Sequence, residues 1–377
     1  MTRDGWTINP DNIAFTFISY FNNLFSSNTA DLTTNTNEEA DHNNQLPAPT
    51  PPTEAQILAL LKGMKKDASP GPDGLNVGFY IAAWPWIKQD VTEMVHQFYN
   101  TGNFQTGMNH TNITLIPKTK NPTSPADFRP ISLCNVSYKI ISKSLADQIK
   151  FHLPDLISET QQAFIKGRRI SNNLVIAQEI VHSFGLNSYK NNSFMLKLDL
   201  SKAFDRLEWC FIAEALQRKG FHGNFINLVL SCISTASFLV NINGQSYGCF
   251  SAQRGIRQGC PLSLYLFVLA INELSESLSE DIQSNHIKGI ALTPGGTIIH
   301  SLMYADDLII TGQANQVEAS RIFQIIQKFC EESGQTPNWG KSSIFFSTST
   351  PSHIKNQIIN IFQFPLLITQ LNILVIL

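Results

Sequence analysis

Apolar residues recur at helical spacing through Ile13, Phe17, Tyr20, Phe21 and Leu24, which predicts a short amphipathic helix over 13–25. From Ser26 to Thr53 the chain turns to Asn, Thr, Asp and Pro, the composition of a flexible linker. Helical spacing returns over Glu54–Lys65 and, after the loop Ser69-Pro70-Gly71-Pro72-Asp73-Gly74, over roughly 76–100. A strand is expected at Asn112–Pro117, an ordered loop at Asp127–Leu133, and helices near Val136–His152 and Ser171–Phe184. The apolar run Phe194–Leu198 predicts a strand that ends at Asp199. Asp205-Arg206-Leu207-Glu208 then has the spacing of a capping box, for a helix running through Ile212, Ala215 and Leu216 to a stop at Gly220. Asn243-Gly244 between Phe238–Ile242 and Ser246–Phe250 predicts a hairpin with a type I′ turn. A buried helix over Pro261–Leu278, a second hairpin around Asp306-Asp307, an amphipathic helix over Val317–Ser333 and a strand at Ser342–Ser347 complete the pattern. These elements describe an α+β chain in which helices surround an antiparallel sheet.

Composition narrows this only in part. The 377 residues suffice for a large core in one or two domains, and the net charge of −2 gives no global signature of nucleic-acid binding. Its distribution is uneven: residues 1–60 carry seven acids and one base, whereas residues 110–170 carry nine Lys/Arg against four Asp/Glu. That second stretch could present a basic face to phosphates. The six cysteines show no CxxC spacing, so neither a zinc site nor a disulfide framework is expected. No basic segment followed by an apolar core opens the chain, and the apolar tail Phe364–Leu377 is shorter than the roughly 20 residues of a spanning helix. The expectation is a protein that is not secreted and has no membrane partner.

The chemistry concentrates in carboxylates. Asp306 and Asp307 lie between the apolar runs 298–303 and 308–310, at the tip of the second hairpin. Adjacent carboxylates repel, and Asp is depleted in strands, so folding alone explains the pair poorly. A hard divalent cation such as Mg²⁺ relieves the repulsion. Asp199, at the end of its own strand, is a third acid in a similar setting. Two acids from different strands bridging paired metal ions are what phosphoryl transfer requires, with Asp199 and Asp306 as the candidates, Asp307 in support and the Leu200 carbonyl as a further ligand. Taken singly, each acid could be ordinary: Asp199 a helix-entry cap, Asp306-Asp307 a polar turn.

Read in order, several phrases share one source. They are Leu115-Ile116-Pro117-Lys118, Phe128-Arg129-Pro130-Ile131-Ser132-Leu133, Lys197 through Asp205, Arg257-Gln258-Gly259-Cys260-Pro261-Leu262-Ser263, Tyr304-Ala305-Asp306-Asp307 and Asn338-Trp339-Gly340-Lys341-Ser342. Together the chain resembles the reverse transcriptase of LINE-type non-LTR retrotransposons over about residues 54–348. Ser69–Gly74 and Phe204-Asp205-Arg206-Leu207-Glu208-Trp209 look most like the plant branch. The resemblance implies a right-hand fingers–palm fold whose antiparallel palm sheet is flanked by helices. It implies an RNA template, a DNA primer and dNTPs as partners, and two Mg²⁺ ions, with Mn²⁺ as a substitute. It further implies nuclear or cytoplasmic work and leaves the oligomeric state open. The domain organisation expected is an N-terminal helix and linker over 1–53, fingers and palm over 54–348, and a degenerate tail over 349–377.

The same resemblance suggests residue roles. Phe204 would lie under the sugar, where a 2′-hydroxyl clashes with its ring. Arg129 would fork onto the incoming triphosphate, and Lys118 would contact phosphate. Gln258 would hydrogen-bond the nucleotide or template from a turn flanked by Gly255 and Gly259. Lys341 would be the acid or charge partner for departing pyrophosphate. Lys166, Arg168 and Arg169 would touch template phosphates. Each has an ordinary reading beside it: a core Phe, a loop-fixing Arg, a turn before a helix, a solvated Lys, an exposed charge run. Several positions depart from the family: Cys260 stands where a polar residue is usual, Leu264 where Pro is usual, and Pro337 should interrupt strand pairing. After Ile359 the expected Tyr-Leu-Gly strand is not found, so a truncated piece lacking the thumb and the endonuclease is expected. Two other readings stay open, an inactive remnant that at most binds nucleic acid and a two-metal nuclease.

Overall fold

The computed structural model describes residues 8–27, 45–186, 191–293 and 295–364. In chain order these form α1 (Pro10–Phe25), α2 (Glu54–Lys62), α3 (Val77–Thr101), β1 (His110–Pro117), β2 (Phe128–Cys134), α4 (Val136–Leu156), α5 (Ile170–Gly185) and β3 (Ser193–Leu198). There follow α6 (Ala203–Arg206), α7 (Trp209–Arg218), α8 (Gly223–Ser234), β4 (Ser237–Ile242), β5 (Gln245–Ser251) and α9 (Ser263–Gln283). The last are β6 (Ser301–Tyr304), β7 (Asp307–Gln313), α10 (Gln316–Ser333), β8 (Ser343–Phe346) and α11 (Ser352–Ile361). The chain divides into two compact units, Met1–His152 with Phe204–Leu266, and Leu153–Ala203 with Phe267–Leu377.

The first unit is built on a sheet of order β2-β1-β4-β5. Residues 127–133, expected as a loop, are mostly strand: β2 runs antiparallel to β1 from Phe128↔Pro117 to Cys134↔Thr111. β4 lies parallel to β1 and returns as β5 through Asn243 and Gly244, whose φ values of 51° and 87° are those of the expected type I′ turn. α1 covers this sheet with Phe21 and Phe25, which stack on Phe250 at 6.5 and 6.4 Å, and Phe25 also meets Phe238. Such ring pairs add about 0.5–1.5 kcal/mol each beyond the area they bury. Of the expected linker, residues 28–44 lie outside the described residues. The remainder is tied down, with Leu46 N donating to Gly220 O and His96 Nε2 at 2.9 Å from Pro52 O.

The capping box expected at Asp205–Glu208 does not form. Asp205 lies inside the one-turn α6, and α7 starts only at Trp209, with no side-chain cap from Glu208. Glu208, itself buried, pairs with Arg254 at 3.2 Å, a charge-assisted contact that outweighs a neutral amide donor. The break between α6 and α7 is filled by the segment 254–257. Gly255 N donates to Leu207 O, Ile256 N to Phe204 O, and Trp209 Nε1 to Gly255 O. Gly255 sits at φ 87° with Asp205 O only 2.6 Å from where a Cβ would lie, so this close approach needs glycine.

The second unit holds a four-stranded, wholly antiparallel sheet of order β6-β7-β3-β8. On one face Met195, Leu302 and Ile309 bury themselves against Ala177, Ile180 and Phe184 of α5. On the other, Phe194 meets Phe362 at 5.9 Å, and Gly312 leaves room for Ile322 of α10. α10 begins at an Asn315 cap and ends at Gly334 with φ 74°, one residue from the expected start and at the expected end. Residues 349–364, expected as a degenerate tail, include α11, and Phe362 and Phe364 pack on Trp339 at 6.2 and 5.6 Å. The rest of the tail, 365–377, lies outside the described residues.

Candidate active site

The acids gather at one end of the second unit's sheet. β3 pairs with β7 as far as Leu198↔Leu308, so one further step along the register sets Asp199 opposite Asp307. β6 and β7 close at Tyr304↔Asp307, which leaves Ala305 and Asp306 as a two-residue tip. Ala305 has φ 54°, a left-handed conformation that costs a residue with a Cβ about 1–2 kcal/mol. Strain of this sort, at a tip that carries an acid, marks a place the surrounding structure has to hold.

Asp306 and Asp307 are exposed and Asp199 is half-buried. The Asp307 carboxyl is held above the ordinary carboxylate range, first by partial desolvation and then by the charges of Asp306 and Asp199, while Lys197 opposes the rise. The three acids therefore sense one another, and Lys197, two residues before Asp199 on the same side of β3, is the cation in their midst. Among the described residues no three His, Cys, Asp or Glu side chains stand close enough to hold one metal ion as they are. The donor set is nevertheless the hard oxygen set that Mg²⁺ takes, and an ion would remove the repulsion that raises Asp307.

The stretch 335–342 grips the end of β3. Asn338 N donates to Asp199 O at 2.8 Å, Asp199 N to Ser342 Oγ at 3.1 Å and Ser201 N to Thr336 O at 2.8 Å. With the Asp199 carbonyl engaged by Asn338, the Leu200 carbonyl is the next along the chain. Leu200 bridges Pro337 in a single antiparallel contact, held by the Thr336 and Asn338 hydrogen bonds on either side, so pairing at this proline is confined to one step. Lys341 is exposed in the turn between Asn338 and Ser342, beside the residue that accepts from Asp199 N.

Behind the acid tip lies a support that sequence reasoning missed. The segment Thr160–Gln162 runs alongside β6: Met303 N donates to Thr160 O, Gln162 N to Met303 O, and Gln161 bridges Met303 in parallel. Arg168, expected on template phosphate, is committed to the protein here. Its guanidinium donates to the carbonyls of Pro154, Ile157, Ser158 and Gln161, folding the chain after α4. Partial burial lowers its pKa, as it does for any cation taken from water. Lys166 and Arg169 are exposed.

The remaining candidates belong to the first unit. Lys118 and Arg129 are exposed at the end of the β1–β2 ladder that the connection 118–127 closes, where Lys118 Nζ donates to Ala126 O at 3.0 Å and Arg129 stands opposite Ile116. Gln258 Nε2 donates to Asp205 Oδ1 at 3.0 Å, and its carbonyl accepts from Ser132 N. Phe204 is half-buried at the start of α6. The neighbouring Arg257 is buried. Its donors go to Asn109 Oδ1, Thr111 Oγ1 and Cys232 O, and it lies 3.9 Å over the Tyr138 ring, which fixes the Gln258 turn to β1.

An α+β chain whose antiparallel sheet ends in an Asp opposite an Asp-Asp hairpin is the palm of a nucleic-acid polymerase. The family described as reverse transcriptase (RNA-dependent DNA polymerase) matches residues 116–360, and the chain belongs to that family. Within it the chain is a reverse transcriptase domain of the non-LTR retrotransposon kind, R2- and TX1-like. It is 29% identical over 294 residues to the transposon TX1 uncharacterized 149 kDa protein of Xenopus laevis, covering 78% of this chain and 22% of that protein. It is 25% identical over 303 residues to a retrovirus-related Pol polyprotein from the type-1 retrotransposable element R2 of Nasonia vitripennis, covering 78% and 28%. The chain thus spans about a quarter of the length of these relatives. Among solved structures, a telomerase from Candida tropicalis aligns over 72% of this chain and 51% of its own, with a TM-score of 0.47 and 14% identity.

Proposed function

We propose that this chain extends a DNA primer on an RNA template, using dNTPs and two divalent ions, Mg²⁺ or in its place Mn²⁺. The observation that carries the reading is the register that sets Asp199 against Asp307 beside the strained tip bearing Asp306. Asp199 and Asp306 would hold the ions, with Asp307 in support and the Leu200 carbonyl as a further oxygen. When bound, the ions lower the pKa of the primer hydroxyl and neutralise the leaving pyrophosphate. Lys341 gives a proton or a charge partner to that pyrophosphate, Arg129 and Lys118 bind the triphosphate, and Phe204 excludes the 2′-hydroxyl. Gln258 orients the nucleotide from its glycine-flanked turn, and Lys166 and Arg169 track template phosphate. The phrases Ser69–Gly74 and Phe204–Trp209 support an origin in the plant branch, and the chain would work in the nucleus or cytoplasm.

The test is primer extension on poly(rA)/oligo(dT) with Mg²⁺, comparing the wild type with Asp306→Ala. Incorporation by the wild type and none by the variant is expected, and incorporation that persists in Asp306→Ala refutes the metal assignment. A second reading, nucleic-acid binding without catalysis, takes its support from there being, among the described residues, no three acids close enough to hold one ion as they stand. It predicts salt-dependent RNA binding, indifferent to Asp306→Ala, in a wild type that incorporates no dNTP.

A further inference from the structure

We propose that Gln161 is a positioning residue for the acid hairpin, setting the tip that carries Asp306 through a single side-chain oxygen. The inference rests on the catalytic reading above. Gln161 is wholly buried, and its Oε1 accepts from Ala305 N at 3.2 Å and from Ala163 N at 2.9 Å. Ala305 is the residue whose positive φ turns the tip, so Gln161 supplies a hydrogen bond at the point of backbone strain. In a two-residue loop this is the amide that a side chain outside the hairpin can hold without entering the β6–β7 ladder.

The other end of the same side chain argues that the oxygen is what matters. Gln161 Nε2 is buried and has no hydrogen-bond partner among the described residues. An unpaired buried donor opposes folding. Glutamine at this position is therefore explained by its acceptor and its reach, not by a satisfied amide. The main chain of Gln161 is fixed independently: its carbonyl accepts from Arg168 Nη1 at 2.8 Å, and the residues on either side bond to Met303. Asn173, also buried, donates to Thr160 O and Met303 O at 3.0 and 2.9 Å and ties this segment to β6 from α5. Arg168, Asn173 and the Met303 contacts make a rigid base, and the Gln161 side chain is the strut from that base to the tip.

The strut acts through Asp306 and touches no substrate, so its removal should loosen the geometry of the acids while leaving nucleotide binding alone. Gln161→Met keeps length and volume and removes the acceptor. Gln161→Glu, protonated where it is buried, keeps an oxygen acceptor and a donor at the same reach. Gln161→Asn keeps polarity but falls one methylene short, and serves if the Met variant does not fold. With the full chain, hydrogen–deuterium exchange of peptides covering 301–308 reports the tip directly. Primer extension gives kcat and KM, and Mn²⁺ binding followed by electron paramagnetic resonance reports the acids without catalysis.

The expected result for Gln161→Met, or for Gln161→Asn in its place, is faster exchange at the tip and weaker Mn²⁺ binding. With these go a kcat lower by about 10- to 100-fold and a dNTP KM within about twofold, the pattern of a misplaced catalytic group. Gln161→Glu should restore all of these to near wild type. Unchanged exchange and Mn²⁺ binding in the Met or Asn variant would overturn the proposal, as would a Glu variant no better than Met. A wild type that incorporates no dNTP would instead count against the catalytic reading, while exchange and Mn²⁺ binding still decide the role of Gln161.

Discussion

Lys197→Met removes the cation from the middle of the acids while keeping most of the apolar stem that packs on the sheet. Lys197 lies diagonally across β3–β7 from Asp307 and two residues before Asp199, and it is the charge that lowers the Asp307 carboxyl against desolvation, Asp306 and Asp199. Diagonal cross-strand neighbours lie about 7 Å apart. At that separation one charge pair is worth about 0.6 kcal/mol in water and about 2.4 kcal/mol at an effective dielectric constant of 20. Asp306 and Asp307 are exposed, so the lower part of that range applies, about 0.5–1 kcal/mol. The sign follows from the raised Asp307. The folded protein holds this proton to higher pH than the unfolded chain, so stability falls as pH rises from the unfolded value, about 3.9, through the folded one. Without Lys197 that loss extends to higher pH, and the metal-free variant should be less stable at pH 7. Mg²⁺ would no longer meet a resident cation, so its affinity should rise by about two- to fivefold for the same 0.5–1 kcal/mol. Titrating Mg²⁺ into metal-free wild type and variant, followed by thermal shift and calorimetry, measures both effects. A variant that binds Mg²⁺ more weakly, or that matches the wild type in both stability and affinity, would refute a field shared by Lys197 and the acids.

Arg168→Gln should cost about 2 kcal/mol or more in urea unfolding, because it strips donors from several carbonyls at once, and should leave the salt slope of RNA binding unchanged. Lys166→Ala or Arg169→Ala should each lower that slope by about 1 with little effect on stability. Asp281 is held below the usual carboxylate range by its hydrogen bonds from Arg321, with His286 adding to the effect. Its contribution is therefore present above the unfolded pKa of about 3.9 and lost as pH falls through the lower folded value. Arg321→Met should cost about 0.5–1 kcal/mol at pH 7 and progressively less as the pH falls below the unfolded value, in urea midpoints measured across that range. Gly255→Ala sets a Cβ 2.6 Å from Asp205 O at φ 87° and should destabilise by about 2–4 kcal/mol in the same assay.

What could be read from the chain and what could not divide along a physical line. The Asn243-Gly244 turn and the helix over Val317–Ser333 are local: the turn follows from φ values two adjacent residues supply, and the helix from its own apolar spacing, closed in the structure by Asn315 and Gly334. The acids could be found for the opposite reason, since Asp306-Asp307 between apolar runs is a local cost that demands a distant explanation. β2 was missed because Arg129 and Pro130 weaken its strand pattern, and it forms only because β1 supplies the ladder. The capping box at Asp205 failed for a similar reason. Its sequence spacing was sound, but Glu208 found Arg254 46 residues away, and the 254–257 segment entered the gap between α6 and α7.

Gln161 and Arg168 carry the same lesson into the site. In the chain, Lys166-Gly167-Arg168-Arg169 is a charge cluster, and a cluster invites one reading for all its members. In the structure Arg168 faces carbonyls of the chain behind α4, while Lys166 and Arg169 face solvent. The charge that looked available for template fixes the segment whose Gln161 reaches Ala305. A residue's chemical type indicates what it can bond, but which bond it makes is decided by the unpaired groups the fold leaves beside it. Carbonyls at the C-terminal end of α4 were bound to need donors, and an arginine some ten residues on could meet several of them at once. The support of the acid hairpin thus follows from how a helix ends, and the same requirement takes Arg168 away from the phosphates.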